Sequence, residues 1–368
     1  MRVLFVTQYG PLGASSRTRV FQYLPILEAE GIETVVRTVI PDVWSTRLGH
    51  DGAVRRLLYY VFSFARTVWV AFWTVLFLGD YDRVVIQKVL FPGPIARLLK
   101  RCREKVVYDF DDAIFTTDTP LGLLGRLSGW RRGASLPRML YASRVAIVEN
   151  DYTKDYAGQF CDRVEIITGP IDTDRYSPRD SGDAQQVILG WIGSQTTTAY
   201  LDRITDILDR VAEVRPNVRL RLIGARPVRT KRIETEARQW SLDTEVEDLT
   251  GCDVGLMPLP DDLWTRGKGG YKLLQYGAVG LPVVASPVGV NKEIVVDGET
   301  GFLVSDEEDW VSRLIELVDD PELRTRMGRA GRERMLQQFS LGHSSRKLIE
   351  ILKLGLEETG RRQTVDSI

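Results

Sequence analysis

The chain has 368 residues, enough for two domains of ordinary size, and its 43% hydrophobic and 27% charged residues exclude a disordered chain. The formal net charge of −1 hides an asymmetry, because residues 1–170 carry 22 Lys and Arg against 17 Asp and Glu. This mildly basic front half suits an anionic partner such as a membrane surface or a phosphorylated acceptor, and it is too weak for a nucleic-acid-binding protein.

Cysteine and histidine usage excludes several kinds of site. Cys102, Cys161 and Cys252 lie far apart and form no metal-ligand spacing, so we expect reduced thiols in a cytoplasmic protein. His50 and His343 are the only histidines of the chain. Their scarcity excludes a His-rich metal site and argues against a Ser-His-Asp hydrolase, and we expect neither a metal nor a cofactor.

The first half alternates apolar strands with helical segments, which predicts a parallel sheet with helices on both faces. The first residues lead directly into a strand rather than into the long apolar segment of a signal peptide, which agrees with a cytoplasmic location. An amphipathic helix is predicted over Arg19–Gly31. The predicted strands are Val3–Thr7, Thr34–Val39, Arg83–Gln87, Lys105–Asp109 and Val145–Glu149.

One long apolar segment, Leu57–Leu78, has Arg66 as its only charged residue. It is long enough to span a membrane, but its aromatic residues, its arginine and the lack of a second such segment argue against a true crossing. Two interpretations remain open: a core helix that is apolar on most faces, or a helix on the bilayer surface with Arg55 and Arg56 at its edge. Residues 55–78 are therefore a candidate membrane surface, and the protein would then be peripheral at the inner face of the plasma membrane.

A polar stretch over residues 171–185 is predicted to link two domains, 1–170 and 186–340, with residues 341–368 forming a last helix and a charged tail. Two doubly wound α/β halves leave the cleft between them as the expected ligand position. The predicted strands of the second half are Val187–Ile192, Arg219–Ile223, Val254–Met257 and Leu281–Ala285, and its predicted helices are Ala199–Val214, Thr230–Gln239, Asp309–Val318, Pro321–Gln337 and Ser344–Leu356.

The most informative segment is Gly267–Val304, in which a glycine-rich loop precedes a helix, a buried strand and a second turn-rich loop. Its glycines leave backbone N–H groups open to an anion, and Lys268 and Lys272 add positive charge beside them. The loop Ser286–Asn291 then lies at the carboxyl end of a strand, where ligands of open α/β sheets bind. An ordinary helix and strand with no ligand is the alternative for the glycines alone.

A second candidate phosphate site is Gly193–Thr198, where a glycine and a run of hydroxyl groups follow a strand directly. These backbone N–H and hydroxyl groups suit a diphosphate, but Thr196 to Thr198 also suit the N-cap of the next helix. Both interpretations can hold together.

The first half contains a hydroxyl-bearing loop, Gly10–Arg17, after its first strand. The loop lacks the G-x-G-x-x-G spacing and contains Pro11, which removes a donor, so a Rossmann dehydrogenase is rejected. Arg17 and Arg19 make the loop suitable for an anionic acceptor or a donor phosphate.

Three carboxylates, Asp109, Asp111 and Asp112, lie at the end of a buried strand. Like charges so close together are usually kept for a purpose, such as orienting sugar hydroxyl groups, accepting a proton or holding a cation. The alternative is a helix N-cap with a structural ion pair.

The order of these motifs resembles glycosyltransferase family 4, the retaining GT-B enzymes. The resemblance covers nearly the whole chain and is strongest over Asp253–Val304, where KLLQYGAVGLPVVA is similar to the donor-binding signature. It implies a GT-B fold of two Rossmann-like domains, an acceptor-side first domain, a second domain that binds a nucleotide-diphosphate sugar, and last helices that cross back. It also implies retention at the anomeric carbon and synthesis of envelope glycans or exopolysaccharides.

The chain departs from the family at several positions. It has no evident match for the family's diphosphate-binding Arg and Lys after Gly193, and Asp111 stands before Asp112 where many members have a His. The family commonly has two glutamates eight positions apart, where this chain has Gly267 and Gln275. An amide can still bond a ribose hydroxyl, but the first glutamate usually contacts the transferred sugar. A non-catalytic GT-B protein that binds a nucleotide sugar or a partner subunit is therefore the second interpretation, and a sugar-nucleotide epimerase is the third.

The resemblance and the motifs together assign three sets of residues, with no metal ligands and no nucleic-acid partner. The partners would be a nucleotide sugar such as a UDP- or GDP-sugar and a glycan or lipid-linked acceptor. The catalytic set is Asp111, Lys272 and Glu293; the donor-binding set is Gly193, Ser194, Lys268, Gly269, Lys272, Gln275, Val290 and Asn291; and the acceptor-side set is Ser15, Ser16, Arg17 and Asp112.

Overall fold

The computed structural model describes residues 1–43, 53–116, 133–178 and 186–355. The chain divides into two compact units, residues 1–168 with 341–368, and residues 169–340. Three predicted features lie outside the described residues: part of the linker (179–185), the tail (357–368) and His50.

The first unit has a parallel sheet of six strands in the order β2-β1-β3-β4-β5-β6 within the described residues. Helices connect successive strands, and buried apolar side chains from both faces of the sheet form two clusters. The strands are β1 (Arg2–Tyr9), β2 (Glu33–Ile40), β3 (Arg83–Gln87), β4 (Val106–Asp109), β5 (Val145–Val148) and β6 (Val164–Ile166). The helices are α1 (Ala14–Arg19), α2 (Leu24–Ala29), α3 (Ala53–Leu76), α4 (Gly93–Leu99), α5 (133–141), α6 (Asp151–Ala157) and, from the C-terminal part, α14 (Leu341–Lys353).

The second unit repeats this architecture with the strand order β12-β11-β10-β7-β8-β9, again all parallel. Its two apolar clusters also lie on opposite faces of the sheet. The strands are β7 (Val187–Ile192), β8 (Val218–Ile223), β9 (Glu234–Arg238), β10 (Val254–Met257), β11 (Val283–Ala285) and β12 (Gly301–Leu303). The helices are α7 (Thr198–Asp202), α8 (Thr205–Val214), α9 (Glu245–Thr250), α10 (Tyr271–Ala278), α11 (Asn291–Ile294), α12 (Glu307–Asp319) and α13 (Pro321–Arg334).

These two sheets confirm the predicted α/β class with two doubly wound halves. Short runs of Val, Ile and Leu form the central strands because both faces of a parallel sheet are covered by helices. Helix α14 packs Leu348, Ile351 and Leu352 into the core of the first unit.

The helix predicted over Thr230–Gln239 is wrong, because residues Glu234–Arg238 form the edge strand β9. Glu, Ala and Arg favour helices on their own, but here strand pairing with β8 outweighs that preference. Two ion pairs join the paired strands, Arg219 to Glu234 and Arg221 to Glu236, each at 2.9 Å.

The helix predicted over Arg19–Gly31 is interrupted. Helix α1 ends at Arg19, a short 3-10 turn follows, and α2 starts again with Pro25 in its first turn. Proline is well tolerated at a helix start and poorly in a helix interior, which favours a new helix at this point.

Helix α3 has two different faces, one buried and one exposed. One side is buried against the unit and includes Thr67, Val70, Ala71 and Thr74. The other side exposes large apolar residues, namely Leu58, Val61, Phe64, Trp69, Phe72 and Leu76. In the described part of the chain no helix is long and apolar enough to cross a membrane.

Candidate functional site

The glycine-rich loop Gly267–Gly270 places α10 at the carboxyl edge of the second sheet. Gly270 directly precedes the helix and has a left-handed backbone with φ of +65°. A Cβ atom there would lie 2.6 Å from Ile294 and 2.9 Å from Val290. Only glycine meets both the backbone and the packing requirement, so this residue fixes where the helix starts.

The second residue of α10, Lys272, reaches from this helix to the end of β7. Its ammonium lies 4.3 Å from the centre of the ring of Trp191, the fully buried second-to-last residue of that strand. The Cε atom of Lys272 is 3.0 Å from the point that a Cβ on Gly193 would occupy. The two candidate phosphate loops, predicted separately, are thus adjacent, and Lys272 lies between them.

The charge of Lys272 is not neutralised by any of the described residues. Among them its ammonium makes no ion pair and no hydrogen bond, and it lies over the Trp191 ring. Burial, together with the nearby charge of Lys268, lowers the pKa of Lys272 to about 7. Lys268 itself lies over the rings of Tyr200 and Trp264, at 5.6 Å and 5.4 Å. A buried cation without an anionic partner favours the binding of an anion.

The loop after β7 is held in a hydroxyl-rich turn before α7. The backbone N–H of Ser194 donates to the hydroxyl of Thr197 at 3.0 Å, and Thr198 donates its hydroxyl hydrogen to the Ser194 carbonyl at 3.2 Å. Ser194 and Thr196 share a further hydroxyl bond of 2.9 Å. These bonds hold the turn that leads into α7, while Ser194 and Thr196 are exposed to solvent.

The loop Ser286–Asn291 packs against the glycine-rich loop rather than standing open. Gly289 has a φ of +52°, and a Cβ on it would lie 2.6 Å from the Arg266 carbonyl. Val290 and Asn291 are both buried, and the Asn291 amide donates to the Ser286 carbonyl at 2.9 Å. The side chains of these two predicted donor residues hold the loop together, which leaves backbone groups for a ligand.

Glu293, a predicted catalytic residue, lies on the short helix α11 with an exposed side chain. Its backbone carbonyl accepts a hydrogen bond from Arg334 at 2.5 Å. Gly269 lies in the loop between Lys268 and the start of α10.

Gln275 belongs to a buried polar network. Its amide donates to the Tyr176 hydroxyl at 3.2 Å, and that hydroxyl donates to the Glu245 carboxylate at 2.6 Å. The same carboxylate accepts bonds from the Trp240 indole at 2.8 Å and from Arg175 at 3.0 Å. The network fixes the direction of the amide, because its nitrogen is used as a donor and its oxygen makes no hydrogen bond within the described residues.

In the first unit, Arg19 forms a buried ion network at the ends of β4 and β5. It bonds both oxygens of Asp109, at 3.0 Å and 2.6 Å, and Glu149 at 2.9 Å. Burial alone would lower the pKa of Arg19, but the two carboxylates outweigh it and raise the pKa well above its ordinary value. Arg19, which the sequence suggested for an anionic ligand, is thus occupied by internal carboxylates.

The other two carboxylates of this segment pair with Lys88, the residue after β3. The Lys88 ammonium lies 2.7 Å from Asp111 and 3.3 Å from Asp112. Burial opposes ionisation of Asp111, but the charge of Lys88 outweighs it and lowers the pKa of that carboxyl. All three carboxylates therefore form ion pairs, Asp109 with Arg19 and Asp111 and Asp112 with Lys88, and a functional role for Asp111 and Asp112 stays a prediction.

The predicted acceptor-side serines lie at the start of α1, beside the same strand ends. Ser16 is fully buried, and its hydroxyl accepts from the Tyr9 N–H at 3.1 Å and donates to Gln87 at 2.9 Å. The Gln87 amide donates in turn to the Ser15 hydroxyl at 2.8 Å. Arg17 is half-buried, and its guanidinium donates to the Leu12 carbonyl at 3.4 Å.

Sequence reasoning missed several of these partners. Lys88 and Gln87 carried a usable signal, since polar residues at the carboxyl end of a buried strand are placed at the ligand-binding edge of a sheet. Tyr176 and Glu245 gave none, because they are 69 residues apart and meet only in the fold. Among the described residues, no group of three or more His, Cys, Asp or Glu side chains is placed to hold a metal ion.

Comparison with known proteins shows which protein family and which relatives this chain is similar to. Residues 186–320 match the family model described as glycosyl transferases group 1. A 240-residue stretch is 28% identical to the alpha-maltose-1-phosphate synthase of Mycolicibacterium smegmatis, covering 56% of this chain and 60% of that protein, less than two thirds of its length. Over 332 residues the chain is 27% identical to a GDP-mannose-dependent alpha-(1-6)-phosphatidylinositol monomannoside mannosyltransferase of the same organism, covering 75% of this chain and 83% of that protein.

Among solved structures, the chain is similar to Anabaena HepE in complex with UDP-glucose. The TM-score is 0.66 at 14% sequence identity, and the match covers 96% of this chain and 99% of that one. At this identity the likeness shows the fold alone, which is GT-B.

Proposed function

We propose that this chain, which belongs to the group 1 glycosyltransferases and has the GT-B fold, transfers a sugar from a nucleotide-diphosphate sugar to a glycan or lipid-linked acceptor. The family match and the fold confirm the resemblance seen in the sequence. UDP-glucose bound to HepE and the GDP-mannose dependence of the mycobacterial mannosyltransferase support this class of donor for the present chain. Envelope or exopolysaccharide synthesis, in the cytoplasm, is the setting we propose.

One observation carries the proposal: the partly buried Lys272 has no anionic partner in the described part of the chain and lies between two glycine loops. A diphosphate would supply the missing negative charge. The N–H groups of Gly193 and Ser194 already donate to the Ile223 carbonyl and the Thr197 hydroxyl, so the neutral donors would be the exposed hydroxyl groups of Ser194 and Thr196 and the N–H groups of the glycine-rich loop before α10. Charge-assisted bonds of this kind are stronger than neutral ones. The second lysine, Lys268, would extend the positive site.

The same groups suit the chemical step. As the bond between the anomeric carbon and the phosphate oxygen breaks, negative charge grows on the leaving diphosphate, and a positioned ammonium stabilises it. We propose retention of configuration: the acceptor oxygen bonds to the anomeric carbon on the same face, and its proton passes to the leaving phosphate oxygen. We propose no metal cofactor, since Lys272 and Lys268 supply the positive charge that a cation would otherwise bring.

Gln275 is proposed to bind the ribose of the donor. Its amide nitrogen is used by Tyr176, so its oxygen is the group left to accept a hydrogen bond from a ribose hydroxyl. This role needs an acceptor and no charge, which reconciles the glutamine with a position where the family commonly has a glutamate. Glu293 and the backbone of the Ser286–Asn291 loop are proposed to lie near the transferred sugar. In the first unit, Asp111 and Asp112 with Ser15 are proposed to receive the acceptor.

A panel of UDP-, GDP- and ADP-sugars tests the function in two steps. A specific donor should raise the melting temperature of the purified protein by mass action, and the same donor should release its nucleoside diphosphate on incubation. Stabilisation without release would favour the non-catalytic alternative, while a new sugar nucleotide in place of the diphosphate would indicate an epimerase. No stabilisation by any donor would contradict the proposal.

A second proposal concerns the exposed side of α3, whose apolar residues lie on one face of the helix. This helix contains arginines and no acidic residue, and the packed neighbour α4 adds exposed Leu98 beside the basic residues Arg97, Lys100 and Arg101. Apolar surface with a basic border is complementary to an anionic lipid bilayer. We infer that this face lies on such a membrane, which also fits a lipid-linked acceptor.

Flotation with vesicles tests this surface. The wild-type protein should float with vesicles that contain phosphatidylglycerol and less with pure phosphatidylcholine. The double variant Trp69→Glu/Phe72→Glu should stay in the soluble fraction, because two charges on an apolar face oppose insertion. Val214→Glu is the control, since Val214 is equally exposed on a helix of the second unit. Equal flotation of the double variant and the control would contradict the inference.

A further inference from the structure

The cluster at the ends of β3 and β4 contains a lysine that neither the family resemblance nor the sequence motifs identified. The Lys88 ammonium bridges Asp111 and Asp112, at 2.7 Å and 3.3 Å, and is itself only about one fifth exposed. Two neighbouring carboxylates repel each other, and without a cation one of them tends to take up a proton. The shared lysine removes that tendency.

The backbone at this cluster is strained in a way that serves the ion pairs. Lys88 has a φ of +61° and Asp112 a φ of +57°, in the left-handed region that residues with a side chain rarely adopt. For residues with a Cβ atom this conformation is unfavourable, because the Cβ atom lies close to the following carbonyl oxygen. The Lys88 N–H donates to the Asp109 carbonyl at 2.8 Å, which holds the turn in this conformation. Strain of this kind is found where surrounding contacts force a side chain into a functional position.

A hydrogen-bond chain holds the other side of the carboxylate pair. Ser16 donates to the Gln87 oxygen, and the Gln87 nitrogen donates to Ser15, so the direction of each bond is fixed by the Tyr9 N–H at its start. Because Ser15 receives a hydrogen from Gln87, its own hydrogen is free to stabilise the Asp111 carboxylate. The amide of Gln87 is therefore a second element of the same arrangement.

We propose that Lys88 is a positioning residue, which holds the carboxylates of Asp111 and Asp112 side by side so that they accept hydrogen bonds from the hydroxyl groups of the sugar acceptor. The proposal rests on the glycosyltransferase function proposed above and assigns a role to a residue outside it. Lys88 acts through the two aspartates and does not itself contact the acceptor.

The charged groups around Asp111 set the expected pH behaviour. They are Lys88 after β3, Arg19 in α1, Asp109 in β4 and Asp112 in the same loop, with the Tyr108 phenol close by. Burial favours the neutral acid, and Lys88 outweighs it, so the pKa of Asp111 lies below its ordinary value. Asp111 then stays ionised in moderately acidic solution, and loss of Lys88 should move its titration to higher pH.

The test is the pH profile of donor turnover, measured as release of UDP or GDP from the donor that most stabilises the protein. In Lys88→Met the acidic limb of kcat/KM should move up by about 1–3 pH units, the range by which a neighbouring charge shifts a carboxylate. Lys88→Arg keeps the charge and should keep the wild-type limb, which a purely packing role would not predict. Lys154→Met, at an exposed position of α6, is the control and should match the wild type.

The outcomes separate the two proposals. Stabilisation of Lys88→Met by UDP equal to that of the wild type would show that the donor site in the second unit is intact. A wild-type protein with turnover, and a Lys88→Met profile identical to it, would overturn the role of Lys88 alone. An acidic limb that moves equally in Lys88→Arg would also overturn it. A wild-type protein without turnover would overturn the proposed function and this role with it.

Discussion

At the scale of single residues, the burial of a lysine without a nearby carboxylate favours the binding of an anion. Lys272 lies against Trp191 with no counter-ion among the residues that the structure describes, and burial lowers its pKa to about 7. In the first unit, by contrast, Arg19 and Lys88 each form ion pairs with two carboxylates. The first lysine is therefore suited to an external anion, and the other two cations are satisfied internally.

The affinity for a nucleoside diphosphate should depend on pH through Lys272. Binding of a diphosphate raises the pKa of the ammonium, so binding is coupled to proton uptake above pH 7, where the free lysine loses its charge. We expect the Kd of UDP to rise from pH 7 to pH 9 by up to about tenfold per pH unit, since one proton is linked to binding. Titration calorimetry over this range measures it.

Lys272→Arg is the control for this pH effect. Arginine stays charged throughout the range, so the Kd of the variant should be nearly constant. The phosphate groups of UDP lose their last proton at a pKa of about 6 and contribute little above pH 7. The same slope in the variant as in the wild type would assign the titration to another group.

Arg19 should be essential for the stability of the first unit. Arg19→Met leaves Asp109 and Glu149 buried without a cation, which we expect to cost about 3–5 kcal/mol at pH 7. The unpaired carboxylates prefer their neutral form, so their pKa values rise and the loss should become smaller as the pH falls from 7 to 5. Calorimetric unfolding at both pH values measures the change.

Arg2→Met is the matched control, because Arg2 pairs with Glu33 at 2.7 Å on the exposed surface. Exposed pairs contribute less than about 1 kcal/mol, and no recovery at pH 5 is expected. A loss for Arg19→Met as small as that of the control would mean that the buried network contributes little net stability.

At the scale of elements, α10 and the loop before it decide the geometry of the donor site. Gly270→Ala should destabilise the second unit and weaken UDP binding, because the new methyl group meets Ile294 and Val290 in a left-handed backbone. Gly298→Ala introduces the same backbone strain, with a φ of +75°, into open space. We expect the first variant to lose about 1–3 kcal/mol more than the second, which is the usual cost of overpacking. Calorimetry and UDP titration of both variants test this.

The elements also show what the sequence could predict. Strands such as Arg83–Gln87, Val187–Ile192 and Val254–Met257 were predicted with the bounds that they have in the structure, because short apolar runs between turns are typical of buried parallel strands. The edge strand β9 was predicted as a helix, since its residues pair through charges that become partners only in the sheet. Short strands such as β12 went unpredicted because three residues carry too little pattern.

The candidate site, too, could be predicted from the sequence only in part. The glycine loops and their lysines follow from local chemistry and could be read from the sequence. The contact of Lys272 with Trp191 and the network of Gln275 with Tyr176 and Glu245 join residues far apart in the chain, and only the fold brings them together. The assignment of Lys88 to the aspartates depends in the same way on the order of β3 and β4.

At the scale of the whole molecule, the two units have similar sheets and different chemistry. The first unit carries paired carboxylates, hydroxyl groups and an apolar helical face with a basic border. The second carries glycine loops and a lysine with no ion-pair partner among the described residues. We propose that the first unit holds the acceptor and the second the nucleotide-diphosphate sugar, and the family match falls on the second.

Titration calorimetry with UDP and GDP at pH 7 tests the central claim most directly. We expect the wild-type protein to bind both nucleotides. The Kd of Lys272→Ala should be about 10–100 times higher than that of the wild type, as expected for a lost charge-assisted bond of about 1.5–3 kcal/mol. The Kd of Lys231→Ala should stay within about twofold of the wild-type value. Lys231 is an exposed lysine of the same unit and serves as the matched control. Equal affinity of Lys272→Ala and the wild type, or no binding of either nucleotide, would contradict the account.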